Sequence, residues 1–411
     1  MTSTGRAPLT SRLLDGVRVV DFSHMLAGPS GTMALADLGA SVVKVEDVAH
    51  GDATRTTGFN GAMFASFNRN KKSLAVDLKT PDGRTIADRL VSGADIVVES
   101  FRPGVMARLK LDYASVRVLN PNVIYASVVG FGSVGPAKDR AGIDLVIQAE
   151  SGLMHLTGEP GARPLRAGFQ AVDAIAGAFL AQAVLGALYH RERTGEGSQV
   201  EVRLIDSAMF LQAHQVTGYS MTGTMPGPTG NSVPHAAPSD LVRVGDGGYL
   251  MIAAYMEAQW EKLCDAIGQP DMVVDARFSS VSARREHRRE LVARLEDALA
   301  SYTTKEAYDY LLGKGLLVGK LRAYDEVLQD PQLVENGTFE RLTLDDGRDI
   351  VTVRLPYRLS SSARRKSTPP PRLGSDSREV LSSLGYSDQD VAEFVQQGAV
   401  ACAPSDEGPS Q

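Results

Sequence analysis

The sequence predicts an α/β protein, with one large domain on a mostly parallel sheet and a second, smaller α+β domain. Three observations predict it. Short runs rich in β-branched residues alternate with helical stretches in the first half, a Gly-, Pro- and Thr-rich break spans residues 222–238, and amphipathic helical patterns follow that break. Strands that alternate with helices are joined by crossovers, which lay helices on both faces of a parallel sheet.

The first unit opens after Asp15-Gly16 with the β-rich run VRVVDFS, passes through GPSG into the helical stretch MALADLGA, and returns in the strand SVVKVE. The pattern recurs as KSLAVDL, the helical TPDGRTIADRLVSG and ADIVVES, and again as PGVMARLKLDYASVRVL leading into NVIYASVVGF. Ile175–Arg193 is nearly all Ala, Leu, Val and Gly, which suits a helix packed on all sides. It stops at Thr194-Gly195-Glu196-Gly197, a turn, before the strand QVEVRLID. Beyond the break, GYLMIAAY reads as a strand, and EAQWEKLCDAI and REHRRELVARLEDALASY as amphipathic helices. Residues 360–372, SSSARRKSTPPPR, are expected to cross a surface in extended form, and SREVLSSLGYSDQDVAEFVQQG to add two short helices. Residues 1–14 and 401–411 are small and polar and read as frayed ends.

The 411 residues are enough for a substantial core, and 43% hydrophobic with 22% charged residues excludes collagen-like, coiled-coil and wholly disordered classes. No unbroken apolar run reaches membrane-spanning length, and the N-terminus lacks the apolar core of a secretory signal. The only two cysteines, Cys264 and Cys402, are far apart. A cytoplasmic protein that engages neither membrane nor nucleic acid is the expectation. The formal net charge of −6 means that any anionic ligand must be met by a local cluster.

Several common chemistries lack their residues. There is no CxxC or HExxH and the seven histidines are scattered, so no metal site is expected. GxSxG and GxxxxGK[ST] are absent as well. Gly130-Phe131-Gly132-Ser133-Val134-Gly135 spells GxGxxG after a strand, but Pro136 and AKDRAG follow where a dinucleotide fold needs a helix to open. A plain strand-to-loop turn is the reading.

A set of stretches spanning nearly the whole chain carries more information. They are LDGVRVVDFSHMLAGP, KVEDVAHGDATR, NRNKKSLAVDLKTPDG, ADIVVESFRPGV, IYASVVGFG, DLVIQAESGLMHLTG, RPLRAGFQAVDAIAGAFLAQAVLGALYHRERTGEGSQVEVRLID and DPQLVENGTF. In order and spacing they resemble the family III CoA-transferases (the CaiB/BaiF family), the group that includes formyl-CoA transferase and carnitine CoA-transferase. The resemblance implies a Rossmann-like large domain and an interlocked homodimer. Residues 15–215 would form the N-terminal part of the large CoA-binding domain, 216–340 a linker and the small α+β domain, and 341–400 the return linker and the helices that complete the large domain.

It implies an activity too: coenzyme A passes from an acyl-CoA donor to a carboxylic acid, with no tightly bound cofactor. The nucleophile is an aspartate just before the Gly/Ala-rich helix, here Asp173 in AVDAIAG. From the residues alone, Asp173 fits two roles. Amides at a helix start would favour the ionised form that a nucleophile needs, and an Asp there is commonly just an N-cap. Gly230, in TGNSVPH, is the position for a loop that offers backbone N–H donors to the oxyanions. Met25, Leu26 and Ala27 would line the nucleotide with backbone groups, Phe101 would pack near the adenine and Arg108 would face phosphate, with Lys71, Lys72 and Arg102 as further cations.

Three positions depart from formyl-CoA transferase: Leu26 for Gln, Asp47 for Arg and Ser100 for Asn, which puts oxalate and formyl specificity in doubt. The similar α-methylacyl-CoA racemases place a histidine before the Asp of the DLVIQ stretch, where this chain has Ile143, and isoleucine carries no proton. A catalytically silent CoA-binding protein is the other alternative, against which Asp173 is retained. Met154, His155, Met221 and His235 are candidates for acid-facing side chains.

Overall fold

A computed structural model describes residues 12–360, 362 and 366–403. The frayed ends expected at 1–11 and 404–411, and residues 361 and 363–365 of the extended segment, lie outside the described residues. The chain divides into two compact units: a larger one comprising the chain up to Leu153, Ala167–Met221 and the chain from Glu335 onward, and a smaller one of Met154–Arg166 and Thr222–Val334. The short piece Met154–Arg166 thus belongs to the smaller unit, a detour that the sequence pattern does not signal.

In chain order the larger unit contains β1 (Arg18–Asp21), α1 (Ala27–Asp37), β2 (Ser41–Glu46), α2 (Gly58–Phe67), β3 (Lys71–Val76), α3 (Pro81–Ser92), β4 (Ile96–Glu99), α4 (Val105–Arg108), α5 (Tyr113–Leu119), β5 (Ile124–Val129) and α6 (Asp144–Glu150). After the short α7 (Leu153–Leu156) come α8 (Ala171–Thr194), β6 (Ser198–Arg203), α9 (Leu204–Leu211) and α10 (Ala213–Thr222). The smaller unit holds β7 (Ser239–Arg243), β8 (Tyr249–Ala253), α11 (Glu257–Ala266), α12 (Val281–Glu286), α13 (Arg288–Leu299), α14 (Thr304–Gly313), β9 (Leu317–Lys320) and α15 (Tyr324–Val327). The short α16 (Pro331–Glu335) ends it, and β10 (Phe339–Thr343), β11 (Asp349–Val353), α17 (Ser377–Ser383), α18 (Asp388–Gln396) and β12 (Val400–Ala401) return to the larger unit.

The seven-stranded sheet has the order β12-β3-β2-β1-β4-β5-β6, parallel except for β12. One apolar cluster lies against each face, with Val19, Ile96, Val98 and Ile124 in one and Val20, Val97, Leu74 and Tyr125 in the other, so consecutive strand residues serve opposite clusters. The GxGxxG segment is a plain loop, since β5 ends at Val129 and the next helix opens only at Asp144. In the smaller unit, β7, β8 and β9 pair antiparallel, and Trp260, Leu263, Leu291, Leu295 and Leu311 share a core with Val242, Leu250 and Ile252.

Three expectations need correction. Leu14 is buried and its amide donates to Leu38 O at 3.1 Å, while Val400–Ala401 pairs with β3, so the frayed ends stop short of both positions. Edge pairing supplies order that two residues cannot show as a pattern. The helix read across REHRRELVARLEDALASY breaks at His287, where α12 ends and α13 begins. Finally, α8 is not packed all round in the single chain: Val172, Ala176, Leu180 and Val184 are buried, but Tyr189 is 64% exposed and Leu185 36%. By length and composition alone α8 could cross a membrane; its buried face instead packs on α1.

Candidate active site

The strand order fixes where a ligand can enter the larger unit. The chain builds β1, β2 and β3 in one direction, then returns to lay β4 on the other side of β1. The loops that leave the C-terminal ends of β1 and β4 therefore diverge, and the crevice between such loops is the usual ligand site of open α/β sheets. Met25 and Leu26 stand on the first loop and Ala27 opens α1 at its end, Phe101 and Arg102 stand on the second, and Arg108 ends α4 just beyond.

The two loops are joined. The His24 amide donates to Ser100 Oγ at 2.9 Å, Ser100 Oγ donates to His24 O at 3.4 Å, and the His24 and Phe101 rings meet edge-on with centroids 4.8 Å apart. Burial first, then the Lys44 ammonium, pushes His24 below the usual imidazole range, so the ring is neutral at physiological pH. Met25 has φ +68°, a left-handed backbone for a non-glycine residue, and is 47% exposed, whereas Leu26 and Ala27 are buried. Arg102 and Arg108 are exposed and join no ion pair among the described residues. Of the departures, Ser100 is the tether just described, and Asp47 accepts the amides of Ala49 and His50 at 3.0 and 3.1 Å.

Lys71 and Lys72 do not belong with these cations. Lys71 is fully buried and donates to Asp21 Oδ2 at 3.0 Å, Pro29 O at 3.0 Å and Asn68 Oδ1 at 2.8 Å, so its three protons are committed. Burial pushes this ammonium down to about 8. Lys72, the second residue of β3, is engaged elsewhere: it pairs with Glu379 at 2.6 Å. The KK dipeptide shows two charges, and burial of one of them is a tertiary fact. Lys79, past the C-terminal end of β3, is exposed on the ligand edge and takes their place as the basic candidate.

Asp173 lies in the first turn of α8, and α8 points that turn at the same edge. Its C-terminus is at the other edge, where Arg191 Nη2 meets Asp95 Oδ1 at 3.0 Å just before β4, and β6 begins four residues after Thr194. Gly177, one turn beyond Asp173, lets α1 approach: a Cβ there would stand 1.9 Å from Ser30 Oγ and 2.8 Å from Ala27 O. Asp173 and the Met25–Ala27 loop thus share one end of the α1–α8 pair.

The N-cap reading of Asp173 fails, because Gln170 occupies the cap position. The role of capping carboxylate is filled by Asp144, which is buried. Its Oδ2 accepts the amides of Val172 at 2.9 Å and Asp173 at 3.2 Å, and its Oδ1 accepts Gln148 Nε2 at 2.5 Å. Gln148 Oε1 in turn accepts the Ala167 amide at 2.9 Å. The expectation that helix amides favour ionisation of Asp173 is also overturned. Those amides serve Asp144, the Asp173 carboxylate accepts no hydrogen bond among the described residues, and burial, with the Asp144 charge second, pushes its pKa up to about 7. The i,i+4 pair of Asp144 and Gln148 in DLVIQ was a legible signal that sequence reasoning passed over.

Gly230 belongs to the smaller unit and has φ +59°. Its N–H is already committed, donating to Gly158 O at 2.8 Å, and a Cβ would stand 2.4 Å from Glu159 Oε2. This corrects its role from oxyanion donor to the tight contact of a loop with the Gly158-Glu159 turn. Met154, His155 and His235 also belong to the smaller unit, Met221 is 80% exposed at the end of α10, and Ile143 is 54% exposed beside Asp144.

A family profile described as CoA-transferase family III matches residues 14–377. A succinate–glutarate CoA-transferase of Agrobacterium fabrum is 35% identical over 382 residues, covering 90% of this chain and 95% of that protein. A succinyl-CoA–D-citramalate CoA-transferase of Chloroflexus aurantiacus is 34% identical over 391 residues, covering 93% and 96%. The crystal structure of a CaiB/BaiF family protein from Brucella suis superposes with a TM-score of 0.84 at 34% identity, over 91% of this chain and 100% of that one.

Proposed function

The chain belongs to CoA-transferase family III, and from that membership we propose that Asp173 carries coenzyme A from an acyl-CoA donor to a carboxylic acid as an aspartyl thioester. The observation that carries the reading is a half-buried carboxylate with no hydrogen bond among the described residues, at the ligand edge of the sheet, with its pKa raised to about 7. A more basic, poorly solvated carboxylate is a stronger nucleophile, and near pH 7 it is still ionised in a substantial fraction of molecules.

The carboxylate oxygen of Asp173 attacks the acyl carbon and the C–S bond breaks, giving a mixed anhydride and the CoA thiolate. The thiolate then attacks the aspartyl carbonyl of that anhydride, releasing the donor acid as its carboxylate and leaving Asp173 as the thioester. The acceptor carboxylate attacks this thioester and expels the thiolate, which takes the acceptor acyl group from the second anhydride and frees Asp173. One thioester replaces another of similar energy. Met25–Ala27 would hold the nucleotide with backbone groups, Phe101 would pack near the adenine, and Arg102, Arg108 and Lys79 would meet the phosphates.

The relatives named for succinate, glutarate and citramalate support a dicarboxylic acid or its thioester as one of the two substrates. The exposed apolar side chains of α8 to α10, among them Tyr189, Phe210 and Met221, support a homodimer, tested by light scattering after size exclusion. Ile143 weighs against a racemase, because it offers no proton on the second face of an α-carbon.

Mass spectrometry after brief incubation with a panel of acyl-CoAs, with and without hydroxylamine, tests the mechanism. A CoA or acyl adduct on the peptide containing Asp173, removed by hydroxylamine and missing in Asp173→Asn, is the expected result. No adduct from any donor, with exchange of the α-proton of a 2-methylacyl-CoA, would refute it.

A further inference from the structure

We propose that Lys44 is a positioning residue for coenzyme A, fixing from beneath the backbone of the loop between β1 and α1 without touching the ligand. The inference rests on the reading of that loop as the nucleotide site. A loop that binds through backbone groups has no rotamers with which to adapt, so its affinity depends on how firmly its main chain is held before the ligand arrives.

The loop is held at consecutive residues. The Ser23 amide donates to Asp21 Oδ1 at 2.9 Å, Ser23 Oγ donates to the same oxygen, and Lys44 Nζ donates to Ser23 O at 2.8 Å. His24 is bound on both sides of its peptide by Ser100. Gly28 closes the turn, since a Cβ there would stand 2.2 Å from Ser23 Cβ. Met25 follows in its left-handed conformation, which a side-chain-bearing residue keeps only where its surroundings dictate it.

Lys44 is the centre of this arrangement. It is fully buried in β2, opposite Asp21 in register, and its Nζ also lies 3.0 Å from Asp52 Oδ2. Burial opposes its charge, but the Asp21, Asp52 and Glu46 carboxylates outweigh burial and keep it protonated. An apolar residue would fill a β-strand core position without any of these partners, so the position retains an ammonium where packing alone does not need one. What the ammonium adds is a donor aimed at a carbonyl of the ligand loop.

The test uses the full chain with Lys44→Met, which keeps the length of the stem, and Arg69→Met as a control. Arg69 is equally buried and pairs with Asp37 at 2.6 Å, so its loss removes a buried charge without touching the loop. Calorimetry with free coenzyme A should show Lys44→Met binding about tenfold more weakly, and the KM for the acyl-CoA donor should rise in step. The KM for the acceptor acid and kcat at saturating donor should stay within about threefold of wild type. A CoA affinity within twofold of wild type, a fall in kcat with the donor KM unchanged, or an equal loss of affinity in Arg69→Met would overturn the assignment. Should Lys44→Met not fold, Lys44→Gln, which keeps a polar head but is too short to hold the Ser23 carbonyl at 2.8 Å, is judged by the same outcomes. Failure of wild type itself to bind coenzyme A would overturn the functional reading, a result distinct from any of these.

Discussion

Replacing Asp144 with asparagine removes one negative charge beside Asp173 while keeping an oxygen for the amides of Val172 and Asp173. The Asp173 carboxyl stands near 7 instead of 3.8, a shift of about 3 units, so its ionised form is disfavoured by about 4 kcal/mol. Burial accounts for the larger share and survives the substitution; the repulsion from Asp144 does not. Removing one neighbouring like charge should lower the pKa by about 1 unit, or about 1.4 kcal/mol. The assay is the pH dependence of kcat/KM for the donor. Ionised Asp173 is the active form, so activity falls as pH drops through its pKa, and in Asp144→Asn this acid limb should move down from near 7 to near 6. Above pH 8, where Asp173 is ionised in both proteins, the variant should be slower, because the less basic carboxylate is the weaker nucleophile. An acid limb that stays in place, or moves up, would refute the electrostatic coupling of the two aspartates.

Asp173→Asn should abolish turnover yet stabilise the fold, and more so as pH rises. A carboxyl whose folded pKa is raised loses stability between its unfolded value of 3.8 and its folded value of about 7, so the gain in urea unfolding free energy should be roughly 3 kcal/mol larger at pH 8 than at pH 5. Arg102→Ala and Arg108→Ala should each weaken coenzyme A binding by about 1 to 2 kcal/mol, less at high salt, while Lys72→Ala, which removes a lysine already paired with Glu379, leaves calorimetric affinity unchanged. Gly177→Ala should cost about 1 to 3 kcal/mol in urea unfolding, because the added methyl meets Ser30 Oγ and the Ala27 carbonyl where α1 and α8 cross.

Where the pattern is local and repeated, the fold was legible. SVVKVE is β2 to the residue, because a run of β-branched residues beside helical stretches has few other places to go in a doubly covered sheet. The two-residue β12 left no such trace, since its order comes from pairing with β3. At the site, the order of motifs singled out Asp173, Met25–Ala27, Phe101, Arg102 and Arg108, and the structure gathers them at the edge where β1 and β4 diverge. Lys71 shows the opposite case. A lysine at a strand start reads the same in sequence whether it meets solvent or, as here, Asp21, Pro29 and Asn68.

The sequence by itself determined the class of fold, the family and the identity of the nucleophile candidate, because periodicity, glycine placement and motif order are properties of neighbours along the chain. Only the tertiary structure decided the chemistry of each charge. Whether Asp173 is an N-cap or an unpaired carboxylate near pKa 7, whether Lys71 faces phosphate or is committed to Asp21, Pro29 and Asn68, and whether the Gly230 amide is free all depend on groups distant in sequence. The reason is physical: a side chain's charge state is set by desolvation and by the partners within a few ångströms of it, and those are fixed only when the helices and strands pack.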